Sequence, residues 1–237
     1  MTGDSLTGSE EIVTIDGPSG VGKSTISRKV AAALGFTYLD TGAMYRGVAC
    51  YLKERSVDMD DDIAVAEALD NLDLQLQPAR DADSEVGVLL GGKDVSEAIR
   101  TPQMSMAASA VSKLQKVREK LTAMQQKMGS KGRIVAEGRD TGTVVFPGAA
   151  YKFFLDATPE ERARRRVIQL REKGQQVDFA QILALTIERD KNDRERSLAP
   201  LRQADDALFI DTTDISIQDV CTRLLSAIAA KKARVRA

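Results

Sequence analysis

Ile15-Asp16-Gly17-Pro18-Ser19-Gly20-Val21-Gly22-Lys23-Ser24-Thr25 follows the β-branched run Ile12-Val13-Thr14-Ile15 and precedes Ile26-Ser27-Arg28-Lys29-Val30-Ala31-Ala32-Ala33-Leu34. The first flank reads as a buried strand; the second is helical in period, with Gly35 as its C-cap. Between them, Gly17 to Ser24 spells Gly, four residues, then Gly-Lys-Ser, the spacing of a phosphate cradle. Glycines let successive backbone N–H groups turn inward around an anion, and the helix N-terminus adds the positive end of its dipole. Gly17, Pro18, Ser19, Gly20, Val21, Gly22, Lys23, Ser24 and Thr25 are the candidate nucleotide-holding loop. Lys23 is placed to neutralise the β- and γ-phosphates, and the Ser24 hydroxyl to ligate Mg²⁺. A plain Gly-rich turn is the bland alternative. The strand before it and the helix after it favour a nucleoside triphosphate.

Outward from this stretch the chain alternates. Phe36-Thr37-Tyr38-Leu39 predicts a second strand ending at Asp40-Thr41-Gly42, then a helix with Met44, Val48 and Leu52 on its inner side. Asp58 to Asp62 reads as an acidic loop and Ile63 to Leu69 as a short helix. Arg133-Ile134-Val135-Ala136, Tyr151 to Leu155, and Ala207-Leu208-Phe209-Ile210 repeat the buried-strand pattern. The expectation is an α/β fold: a five-stranded, mainly parallel sheet with helices on both faces. Ligands of such sheets sit beyond the carboxyl ends of the strands. Three charged clusters fall there, Asp16 to Ser24, Asp40 to Arg46 and Glu137 to Asp140, and they should converge.

Between Leu72 and Val95 the period changes. Leu72 to Leu76 alternates, Val86 to Leu90 follows, and Gly91-Gly92 turns the chain into Lys93-Asp94-Val95, a small antiparallel insert. Thr101-Pro102 opens a helix, and Leu114 to Met128 forms a longer one closed by Gly129. Thr158-Pro159-Glu160-Glu161 reads as a capping box for an arginine-rich helix that Gly174 ends. Asp178 with Gln181 caps another through about Arg196, and Ser216 with Asp219 opens a closing helix. Residues 1–11 are polar and expected to fray, and Lys231 to Ala237 reads as a solvated basic tail.

The 237 residues can bury a sizeable core. The 34 basic and 35 acidic residues nearly cancel, so no chain-wide field recommends nucleic acid or an anionic membrane as partner. No apolar run approaches the roughly 18 residues a transmembrane helix needs. Cys50 and Cys221 stand too far apart for a metal-ligand spacing, and two thiols suggest a reducing cytoplasm. There is no histidine, which excludes His-dependent triads and metal sites and leaves base chemistry to carboxylates or to the substrate's own oxygens.

Arg162, Arg165 and Arg166 lie three or four apart and share a helix face; Arg189, Asp193 and Arg196 fall at i, i+4 and i+7. With Glu160, Glu161, Glu188 and Glu195 interspersed, a salt-bridged surface helix is the ordinary reading. The short Gly174-Gln175-Gln176 connection gives the pair the shape of a lid, whose arginines could close over transferring phosphates.

With these motifs quoted, the chain resembles the bacterial cytidylate kinases. The resemblance rests on 16–24, on Leu-Asp-Thr-Gly-Ala-Met-Tyr-Arg at 39–46, on Gly-Arg-Asp-Thr-Gly-Thr-Val-Val-Phe-Pro at 138–147, and on Glu-Arg-Asp-Lys-Asn-Asp-Arg-Glu-Arg at 188–196. It implies a P-loop NTPase fold over 12–228, with a nucleoside-monophosphate-binding insert at about 72–103, a helical lid at about 159–196 and a flexible tail at 229–237. It implies ATP as donor with Mg²⁺, and CMP or dCMP as acceptor. Lys23, Arg162, Arg166 and Arg196 would be catalytic. Arg46, Arg139 and Arg196 would hold the CMP phosphate; Thr41, Arg189 and Asp193 the pentose; Ser109, Arg118 and Asp140 the cytosine. The family commonly has Ser where this chain has Thr41, and some members have Gly where it has Ser24.

The implied reaction needs no general base, because the attacking oxygen belongs to the CMP phosphate. A monomer suffices. Rival readings are a kinase for AMP, UMP or shikimate, and a regulatory nucleotide switch. The guanine-reading Asn-Lys-x-Asp stretch of GTPases is missing from the sequence.

Overall fold

The computed structural model describes residues 11–79, 81, 84–172 and 174–236. Strand β1 (Ile12–Asp16) is buried along its whole length. Alternate side chains leave opposite faces of a strand, so both faces of the sheet must be covered. Ile12 joins the core on one side, Val13 and Ile15 the core on the other. Helix α1 (Lys23–Leu34) ends as the sequence indicates, with Gly35 at φ 67° and its N–H turned back to the Ala31 and Ala32 carbonyls.

There follow β2 (Thr37–Asp40), α2 (Thr41–Glu54), α3 (Asp62–Asp70), β3 (Leu74–Gln77), β4 (Gly87–Leu90), β5 (Lys93–Asp94), α4 (Pro102–Val111) and α5 (Gln115–Gly129). Next come β6 (Ile134–Gly138), a π-helical turn (Thr141–Val145), β7 (Tyr151–Asp156), α6 (Pro159–Glu172), α7 (Phe179–Glu195), β8 (Leu208–Asp211) and α8 (Ile217–Arg236). The large sheet runs β2-β6-β1-β7-β8 with every pair parallel, and β3-β4-β5 form a separate antiparallel sheet. Helices α1 and α8 pack on one face of the large sheet, and α2 and α5 on the other. Met44, Val48 and Leu52 have no exposed surface, as their helical spacing predicts.

Register decides where the chemistry sits. Asp16 pairs with Gly138 and Asp40 with Glu137, so the carboxyl ends of β1, β2 and β6 lie side by side and the three charged clusters meet.

Gly129 closes α5, as expected, and is its last residue. Glycine is required there for space: a Cβ would stand 2.6 Å from Phe146 Cε1 and 2.9 Å from Ile134 Cδ1. The Thr158 capping box is half-made. The Glu161 N–H donates to Thr158 Oγ1 at 3.3 Å, but the Glu161 carboxylate takes Arg164 and Arg165, and the Thr158 N–H donates to Thr213. The expected tail at 229–237 is helical through Arg236: Lys231 Nζ donates to the Ala150 carbonyl at 2.6 Å, and Lys232 lies over the Phe36 ring. Residues 1–10 and Ala237 lie outside the described residues.

Candidate active site

A cleft of about 350 Å³ opens beyond the carboxyl ends of β1, β2 and β6, walled by α4 on one side and by α6 and α7 on the other. The loop after β1 forms its floor. Gly17, at φ 149°, passes so close to β7 that a Cβ would stand 2.0 Å from the Leu155 carbonyl oxygen, so no other residue fits. Gly22 is left-handed at φ 95° and immediately precedes α1, aiming the helix N-terminus at the cleft. Ser19, Gly20, Gly22, Lys23, Ser24 and Thr25 line the cleft. Val21 instead turns into the core, and Pro18 supplies the carbonyl that accepts from Lys23 Nζ at 2.6 Å.

Burial, with Arg139 and then Arg189 nearby, pushes Lys23 down to about 7, although Glu137 acts the other way. Burial and the adjacent Asp40 raise Glu137 in turn. The Tyr38 hydroxyl donates to Glu137, the Ser24 side chain lies near both, and Glu137 Oε2 is buried without a partner.

The lid arginines separate. Arg162, 2% exposed, donates to the Ala157 carbonyl at 2.9 Å, to the Ser19 carbonyl at 3.0 Å, and through both terminal nitrogens to Asp190. It ties α6, α7 and the phosphate loop together. Arg166 lines the cleft wall. Arg165 does not join them: it donates to the Thr212 carbonyl at 2.6 Å and anchors α6 beside β8. The face expected to be shared is split, because only one flank of α6 borders the cleft.

The half of the cleft between α4 and the end of α7 is a mesh of buried ions. Asp193 accepts from Arg139 Nε at 2.8 Å and from the Ser109 hydroxyl at 2.9 Å, and stands 4.0 Å from Arg189 Nε. Burial alone would raise Asp193, but Arg139 and Arg189 hold it at about 2. Arg189 is depressed to about 9 by burial and by Arg139, and donates to Ser19 Oγ at 3.0 Å. Asp140 is ion-paired with Arg118, and Arg196 Nη2 lies 3.6 Å from its other oxygen. Arg196 also donates to Ser112 Oγ at 2.9 Å. Thr41 donates to the Glu137 carbonyl at 2.6 Å, and Arg46 to Asp40 at 3.2 Å. Thr41, Arg46, Ser109, Arg139, Asp140, Arg189, Asp193 and Arg196 all line the cleft; Arg118 lies behind Asp140, off the wall.

Among the described residues, Arg46 Nε, Arg189 Nε and Arg196 Nη2 are buried guanidinium nitrogens with no hydrogen bond, the last two standing 4.0 and 3.6 Å from carboxylate oxygens of Asp193 and Asp140. Buried donors left in this way call for acceptors, which an anion in the cleft would supply.

Sequence reasoning left Asp16, Tyr38, Glu137 and Asp190 without roles. Asp16 and Glu137 were findable as acids ending buried strands. Asp190 was not, because its partner Arg162 is remote in sequence.

Fold and site together define a P-loop phosphotransferase of the nucleoside monophosphate kinase class. The family model described as cytidylate kinase matches residues 13–230, and the chain belongs to that family. It is 48% identical over 217 residues to the cytidylate kinase of Pasteurella multocida, covering 92% of this chain and 94% of that protein. It is 46% identical over 222 residues to a bifunctional pantoate ligase/cytidylate kinase of Synechococcus elongatus, covering 93% of this chain but only 42% of that longer protein. An uncharacterized protein from Eubacterium ventriosum shares the fold, with a TM-score of 0.50 at 13% identity over 93% of this chain and 99% of that one.

Proposed function

We propose that this protein transfers the γ-phosphoryl group of ATP to CMP or dCMP, giving ADP and CDP or dCDP. The observation that carries the reading is that Arg46, Arg189 and Arg196, which line one cleft with the phosphate loop, each keep a buried guanidinium nitrogen without a hydrogen bond. Two polyanions must be brought together, and these groups cancel the repulsion on the acceptor side while Lys23 and the helix N-terminus do so on the donor side.

The CMP phosphate is already an anion near neutral pH, so its oxygen attacks the γ-phosphorus without a base. Arg46, Arg139 and Arg196 hold that phosphate in line; Thr41, Arg189 and Asp193 meet the pentose. Asp140 accepts from the cytosine 4-amino group, Ser109 adds a second base contact, and Arg118, behind Asp140, acts by holding that carboxylate in place. Uracil presents a carbonyl where cytosine presents that amine, and Asp140 repels it. Lys23, Arg162, Arg166 and Arg196 stabilise charge spreading onto the equatorial oxygens.

No cluster of three metal-ligating side chains occurs among the described residues, so Mg²⁺ would be held largely through phosphate oxygens and water. The Ser24 hydroxyl and the unpartnered Glu137 Oε2 beside it are an oxygen donor set that suits a hard cation. When bound, that cation would supply positive charge against the transferring phosphate. The insert at 72–103 and the lid at 159–196 close over the nucleotides and exclude water. No helix among the described residues is long and apolar enough to cross a membrane, and Cys50 and Cys221 are free and buried. A reducing, cytoplasmic setting suits the free thiols, and the proposed reaction needs no second subunit.

The test is ADP release in a coupled assay with each nucleoside monophosphate in turn. CMP and dCMP should exceed UMP and AMP. AMP outpacing CMP by tenfold would overturn the base assignment, and acceptor-independent slow hydrolysis would favour a nucleotide switch.

A further inference from the structure

The π-helical turn at Thr141–Val145 begins just after Asp140 and is anchored from a different strand. Asp16, the last residue of β1, accepts through Oδ1 from the Thr141 N–H at 2.9 Å and the Thr141 hydroxyl at 2.8 Å, and through Oδ2 from the Gly142 N–H at 2.7 Å. It is 4% exposed. A carboxylate in Asp140's place, immediately before a helical turn, ordinarily bends back onto the turn's first free N–H groups. Asp140 makes no such bond; its oxygens face Arg118 and Arg196. Of the donors it would have satisfied, the Gly142 N–H is occupied by Asp16, which takes the Thr141 N–H as well. Gly142 permits this reach, since a Cβ there would stand 2.8 Å from Thr14 Oγ1 and 3.3 Å from Asp16 Oδ2.

We propose that Asp16 is a positioning residue for base selection: by capping this turn from the neighbouring strand, it releases the Asp140 carboxylate to face the acceptor base. The inference rests on the reading of Asp140 as the cytosine-selecting group. With one Asp16 oxygen gone, the Thr141 and Gly142 N–H groups are no longer both satisfied. Asp140 is the carboxylate already on that turn, and it swings back to cap it. Discrimination at the base then falls, while the phosphate loop that begins at Gly17 keeps its shape.

Steady-state rates with CMP and with UMP test this in wild type, Asp16→Asn, Thr141→Val, Asp140→Ala and the Asp16→Asn/Asp140→Ala double variant. Asp16→Asn should lower the CMP:UMP ratio of kcat/KM about tenfold, the scale of one lost base contact, through a higher KM for CMP with the KM for ATP unchanged. Thr141→Val, which removes one of the three bonds, should give a smaller drop. In the Asp140→Ala background Asp16→Asn should lower the ratio no further.

A cooperatively folded Asp16→Asn enzyme that keeps the wild-type ratio while Asp140→Ala loses it would overturn the role of Asp16 and leave the base assignment standing. Equal rises in KM for ATP and CMP would also overturn it, marking Asp16 as general scaffolding. Should Asp140→Ala itself keep the ratio, the base assignment falls and this inference with it. If Asp16→Asn does not fold, Thr141→Val decides, and an unchanged ratio there overturns the proposal.

Discussion

Lys23 shows how strongly burial acts on a single group. Its ammonium is desolvated beside Arg139 and Arg189, so its affinity for a proton drops to about 7. A bound triphosphate restores that affinity. ATP binding near pH 8 should therefore take up a fraction of a proton, up to about one, seen as a binding heat that varies with the ionisation enthalpy of the buffer. Lys23→Ala should abolish the uptake and cut turnover by orders of magnitude. The same shift has a sign in the unliganded protein. Between about 7 and the ordinary lysine value of 10.5, the unfolded chain carries a proton that the native lysine lacks, so this group's contribution makes stability rise with pH across that window. Asp140→Ala should weaken discrimination of CMP against UMP by about 1–3 kcal/mol, measured as the ratio of kcat/KM values. At this scale the sequence was partly legible. Lys23 and Arg139 announce themselves by motif, whereas the pairing of Asp193 with Ser109 and Arg139 joins residues whose separation along the chain gives no hint of contact.

Among the elements, the helical pair α6–α7 depends on one buried ion pair. Asp190 holds Arg162, and Arg162 holds the Ser19 carbonyl, so the pair is tied directly to the phosphate loop. Asp190→Asn leaves a buried guanidinium without its counter-charge, a loss of about 3–5 kcal/mol where no relaxation intervenes. The expected outcome is a lower Tm, a higher KM for ATP and faster proteolytic cleavage between the two helices. Gly129→Ala, by contrast, should cost about 1–3 kcal/mol through overpacking against Phe146 and Ile134, with kinetics unchanged. The strands were legible because both-face burial imposes β-branched runs, and the caps at Gly35, Thr101 and Asp178 because their chemistry is local. Gly129 was legible as the end of α5, but the Phe146 ring that crowds it left no mark in the sequence. The split of Arg162 from Arg165 was hidden for a related reason: helical period fixes which residues share a face, not how much of that face borders the cleft.

For the whole molecule, two nucleotides meeting in one cleft must each stabilise the fold. At a CMP concentration of one hundred times Kd the gain is about 2.7 kcal/mol, and a thermal melt should show it as an upward shift of several degrees. Lys23→Ala should keep the CMP shift and lose most of the ATP shift; equal loss of both would contradict the division into donor and acceptor halves. The parallel register of β1 with β6 has one more consequence. The donor loop leaves one strand and the acceptor residues leave the next, with Asp16 opposite Gly138. The spacing between the loop after β1 and the residues after β6 is thus set at its base by the backbone ladder, about 4.8 Å from rail to rail, before any side chain adds its reach. A redesign of the pocket around Asp140 can exchange one base for another while the rails keep the phosphorus atoms at the same reach.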